Sequence, residues 1–109
     1  MAIPHAQPMD IIDVRPLGAA FGEARTTTLI KTNQLEVVRL VIPAGKEIPE
    51  HQVASEITVQ CLEGQVEFTS NNTTRLLTAG QLVYLAGASK HSLRARENSS
   101  VLLTIRLQH

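Results

Sequence analysis

Aromatic residues are scarce in this chain. Its 109 residues include two Phe, one Tyr and no Trp, too few for a stacking platform that holds single-stranded nucleic acid. A surplus of positive charge is also missing. Lys plus Arg and Asp plus Glu number ten each, and the formal net charge is zero. A general nucleic-acid binder needs surplus cations to displace counterions, so neither nucleic acid nor a membrane surface is an expected partner. No apolar run approaches the ~20 residues of a membrane span. Met1 to Asp10 shows no basic start followed by an apolar stretch, so a secretory signal is not expected and a cytoplasmic location is. Cys61 is the single cysteine, which excludes an intrachain disulfide and fits a reducing compartment. The nucleophile pattern G-x-S-x-G and the phosphate-cradling G-x-x-x-x-G-K are both absent.

What is present is apolar material, 43% of the chain, cut into short segments. The length suits one domain with enough buried surface for one core. Residues 1–25 carry Pro4, Pro8 and Pro16 with small apolar pieces, Ile11, Ile12 and Val14. They are expected to form an arm, with at most a short edge strand, because Pro cannot donate to a central ladder.

From Thr26 onward strand follows strand. Thr26 to Lys31 is rich in β-branched residues. Leu35 to Ile42 follows, then Pro43-Ala44-Gly45 breaks the pattern. Ile57 to Leu62 turns at Glu63-Gly64 into Gln65 to Ser70, and Asn71-Asn72 suits a tight hairpin into Thr74 to Leu77. Leu82 to Leu85, His91 to Ala95 and Ser100 to Leu107 complete the set. About eight short strands without a helix predict an all-β sandwich or barrel over residues 26–109. Gln65-Val66-Glu67-Phe68 alternates as a half-buried strand does. Leu35 to Ile42 is apolar on both faces apart from Glu36 and Arg39, which predicts burial on both sides. Lys90, Arg94 and Arg96 form a local basic group, read first as a solvated strand end and second as an anion-attracting rim.

Two stretches have a distinctive spacing. Gly45, five residues, His51, one residue, Val53, three residues, Ile57, six residues and Gly64 make the first. Gly80, five residues, Ala86, one residue, Ala88, two residues, His91, three residues and Ala95 make the second. These spacings resemble the two cupin motifs: a glycine, two histidines, a glutamate and a glycine, then a glycine, a proline, a glycine, a histidine and an asparagine. The scaffold glycines Gly45, Gly64 and Gly80 match, and Leu62-Glu63-Gly64 is the usual turn wording. Of the four ligand positions only His51 and His91 match. Val53 and Ile57 replace the second histidine and the glutamate, and Ala95 replaces the asparagine. The resemblance implies a single cupin-type β-barrel, a double-stranded β-helix or jelly roll.

It also implies a site at the barrel mouth. His51 and His91 are the candidate metal ligands for one divalent transition metal such as Fe, Ni, Mn or Zn. A third ligand would have to come from Glu56 or Gln60, both of the wrong strand parity relative to Ile57, so Glu56 would need a bulge near residues 53–56 to turn inward. Glu50 meets the same objection. Cys61 has the right parity but lies ~13 Å along the strand from Ile57, and is better placed in the core. His5 and His109 are expected to be exposed and uninvolved.

The first functional expectation is a small-molecule-binding barrel, with His51, Val53, Ile57, Val59 and His91 lining an apolar pocket and the histidines orienting the ligand. The alternative is a metal-dependent dioxygenase, isomerase or lyase, with His51 and His91 as the catalytic pair. Whether the chain is an enzyme stays open at this point. A third alternative is an inert barrel filled by its own side chains. The resemblance and the two-faced strand Leu35 to Ile42 point to a homodimer.

Overall fold

The structure, a computed structural model, describes residues 5–107. Among them are nine strands: β1 Thr27–Lys31, β2 Leu35–Ile42, β3 Glu47–Gln52, β4 Ile57–Glu63, β5 Gln65–Ser70, β6 Thr73–Thr78, β7 Leu82–Leu85, β8 Lys90–Ala95 and β9 Ser99–Arg106. They form two antiparallel sheets, one in the order β1-β2-β9-β4-β7 and the other β3-β8-β5-β6. The eight expected strands are all present. The addition is β3, which contains Pro49. As an edge strand it tolerates a residue that cannot donate to the ladder. No described helix is long and apolar enough to cross a membrane.

Strand parity builds the core. Ile57, Val59 and Cys61 alternate inward along β4, Val66 and Phe68 along β5, and Leu93 and Ala95 along β8. With Ile42, Leu77 and Val101 they form one buried cluster. Each such aliphatic side chain contributes roughly 1.5–3 kcal/mol by leaving water. Cys61 is completely buried, and that burial pushes its thiol above the ordinary value.

The arm does not form the edge strand that Ile11, Ile12 and Val14 allow. It runs without a strand from His5 to Leu17 and closes in a short 3-10 helix, Gly18–Glu23. It lies on the outer face of β2. The Arg39 guanidinium donates from Nη2 to the Val14 and Arg15 carbonyls, and the Val41 N–H donates to Thr26 Oγ1. The Glu63 carboxylate receives the Leu17 and Gly18 N–H groups, at 2.8 and 3.2 Å, and the Ser100 hydroxyl at 2.6 Å. Burial opposes charge on Glu63, but these hydrogen bonds outweigh it and hold the carboxyl below its ordinary value. The second apolar face of β2 is therefore covered by the chain's own first quarter.

Candidate functional site at the barrel mouth

The two histidines meet because of an irregularity in β3. Glu47 and Ile48 lie opposite Arg94 and Leu93, but His51 and Gln52 lie opposite His91 and Lys90. Continued regular pairing would have set Glu50 opposite His91. One extra residue in β3, a β-bulge, shifts the register and delivers His51 instead. The ring centroids of His51 and His91 are 4.1 Å apart, edge to face. Phe68 stacks on the other side of His91, with centroids 5.6 Å apart.

The pair is asymmetric. His91 is 1% exposed, whereas His51 is open to solvent. Burial lowers the His91 pKa; the hydrogen bond to the Ser89 carbonyl opposes it in part, and the nearness of His51 adds a smaller push downward. Nδ1 of His51 lies 3.1 Å from the Pro49 carbonyl, and Nδ1 of His91 lies 3.3 Å from the Ser89 carbonyl. A carbonyl only accepts, so each bond places the proton on Nδ1 and leaves the Nε2 lone pair free. Two imidazoles so held can accept from a donor on a ligand.

The remaining expected site residues are not gathered here. Ile57 and Val59 are 3% and 1% exposed and belong to the closed core, with Val53 packed partly against it. Glu56 accepts a 2.7 Å hydrogen bond from the exposed Tyr84 hydroxyl. Gln60 reaches the Gly80 carbonyl at 3.4 Å. Neither turns toward the histidines, and the bulge lies in β3 rather than at residues 53–56. His5 is exposed as expected, and His109 lies outside the described residues. Among the described residues no three His, Cys, Asp or Glu side chains converge. The donor set stops at two imidazoles, short of the three protein ligands usual even for an open catalytic zinc site, so these residues do not fit a resident metal ion. One member of the basic group has an acidic partner in an ion pair. Arg94 sits between Glu47 and Glu67 in the ladder, and Arg96 pairs with Glu67 at 2.7 Å.

Three features of the mouth escaped the sequence reading. Phe68 was legible as buried, but not as the partner of His91. Gly87 approaches the loop after β3 so closely that a Cβ there would lie 2.8 Å from the Ala54 carbonyl oxygen. Ser55, in the same loop, buries a hydroxyl that finds no partner among the described residues. The Ala88 N–H straps the two loops together through a 2.9 Å bond to the Val53 carbonyl.

No protein-family model matches this chain, and neither does any curated protein. Solved structures do. A cupin superfamily protein from Desulfitobacterium hafniense superposes with a TM-score of 0.78 at 16% identity, covering 94% of this chain and 100% of that one. An RmlC-like cupin from a Desulfovibrio desulfuricans subspecies gives 0.69 at 21% identity, covering 94% and 97%. The chain has the cupin fold. A conserved protein of unknown function from Streptococcus pyogenes shares this cupin fold over 100% of this chain and 96% of its own, at 20% identity and a TM-score of 0.77. At these identities the likeness extends to the cupin double-stranded β-helix and no further.

Proposed function

We propose that this cupin barrel is a small-molecule-binding module whose polar anchor is the His51–His91 pair. The supporting observation is the pairing itself. A bulge brings the two imidazoles side by side, and a backbone carbonyl holds each through Nδ1 and leaves Nε2 as the acceptor. Val53, two residues from His51 and only partly buried, would be the apolar contact for a ligand body beside that anchor. Dimerisation belongs to the same reading, through the part of the outer sheet beyond the arm, where Leu82 and Tyr84 are exposed. A monomer by light scattering at micromolar concentration contradicts it.

The test is a screen of small polar organic fragments by histidine-detected NMR, joined to elemental analysis. The expected result is a fragment that shifts the His51 and His91 ring signals and loses binding about tenfold or more in His51→Ala, the scale of a lost hydrogen bond to a charged or buried group. Near-stoichiometric metal that disappears in His51→Ala would overturn the reading in favour of a metalloenzyme. Fragments that leave both rings unmoved would overturn it in favour of an inert barrel.

A further inference from the structure

A second candidate site lies away from the mouth, where the arm crosses the outer face of β1 and β2. A cavity of about 690 Å³ opens there, within the size range of small-ligand sites. Leu17, Leu29 and Val41 give it apolar walls, Arg39 lines it from β2, and His5 and Arg25 stand on it against the single acid Glu23. A neighbouring cavity of about 700 Å³ shares Ala24, Arg25, Thr26 and Val41, and adds a further cation, Lys46.

Arg39 is the anomaly. It is 9% exposed, yet it makes no ion pair among the described residues. The salt bridges found there join Arg15 to Asp13, Lys31 to Glu36 and Arg96 to Glu67. Asp13 and Glu63 feel its field without reaching it. Its Nη2 serves the two arm carbonyls, while its Nε is buried with no partner among the described residues. A desolvated cation left to neutral acceptors is costly. A guanidinium holds several donors in one rigid plane whose geometry matches a carboxylate. Two carbonyls occupy only part of it.

We propose that this cavity is a binding site for a small organic anion, a carboxylate with an apolar body, whose head group pairs with Arg39 and whose tail lies against Leu17, Leu29 and Val41. The site is separate from the histidine mouth and does not depend on what the mouth binds. Arg39 has a double role in it: the guanidinium pins the arm through Nη2 and offers Nη1 to the anion.

Octanoate is the probe, with 1-octanol and inorganic phosphate as controls, followed by NMR of the intact chain. The expected result is that octanoate shifts the Arg39 Nε–H resonance and the Val41 and Thr26 amides while the His51 and His91 signals stay in place. Neither control should do so comparably. Arg39→Gln should weaken octanoate binding by about tenfold or more, as loss of a charge-assisted pair does. Because Arg39→Gln also frees the arm, Arg25→Glu provides the second variant. Arg25 is exposed, so the substituted chain should fold while its added negative charge weakens octanoate binding several-fold. Equal shifts from 1-octanol, or from phosphate, would overturn the proposal, as would octanoate shifts confined to the histidines or unchanged affinity in a folded Arg25→Glu protein.

Discussion

The two ends of the barrel have been treated differently. At one end lie Gly45, Gly64 and Gly80, with backbone φ of 81°, 86° and 91°, and they hold the strand ends together. Gly45 donates to the Ala95 carbonyl and Gly80 to the Cys61 carbonyl. At the other end lie His51, Val53, Ala88 and His91, where half of the cupin ligand pattern has become aliphatic. Ala88 stands where the pattern has a glycine and still adopts a φ of 66°. The first end keeps the residues its backbone requires. The second has a left-handed backbone at a residue that does not favour it. Turn geometry and side-chain chemistry are separable here, because the turn is held by the whole ladder and the chemistry by single side chains.

The largest test of this contrast is Gly64→Ala. A Cβ there would lie 2.9 Å from Ser99 Cα, which belongs to the backbone and cannot swing away. Overpacking and a left-handed φ together should cost about 3 kcal/mol, a fall in Tm on the order of 15 °C for a domain of this size. Differential scanning calorimetry measures it. A fall of only a degree or two would show that the glycine end is no more constrained than the mouth.

An intermediate effect is expected from pH. His91 has a lowered pKa in the fold, so its neutral form is the stabilised one. Its contribution is complete above the ordinary value of 6.5 and is lost as the pH falls below it toward the folded value. At the opposite end Glu63 behaves alike in a lower window, with its contribution complete above 4.5 and lost in more acidic solution. Urea midpoints followed from pH 8 downward should therefore fall in two stages. His91→Phe should remove the first stage and leave the second, and Glu63→Gln should do the reverse. A single stage that survives in both variants would erase the distinction between the ends.

The smallest effect belongs to Ala88→Gly. Relief of the left-handed φ is worth about 1–2 kcal/mol, offset by about 0.5–1 kcal/mol of added freedom in the unfolded chain. A net gain of up to about 1.5 kcal/mol in chemical denaturation is expected, opposite in sign to Gly64→Ala. A loss would mean that the methyl group of Ala88 is itself packed at the mouth.

Much of the barrel was legible because its signals are local. β-branched runs, alternation in Gln65 to Phe68 and the glycine spacings each report on a few neighbouring residues, and the strands formed where those signals lie. β3 was not legible, since Pro49 argues against a strand unless its edge position is already known. The site was half legible. Spacing identified His51 and His91, but parity alone could not foresee the bulge that turns His51 rather than Glu50 toward His91. Parity was an objection to Glu56 and Gln60 as third ligands, and their side chains bond to Tyr84 and to the Gly80 carbonyl. The two-faced pattern of Leu35 to Ile42 was real, yet its outer cover is the arm, a contact between segments far apart in the chain that no periodicity encodes.

Cys61 has a practical consequence. A lone thiol with no exposed surface, on the strand that joins both ends of the barrel, can react with an added disulfide reagent only after β4 leaves the core. Labelling kinetics on the unmodified chain would then report how often the barrel opens, and a ligand that closes either site should slow that clock without touching the sulfur.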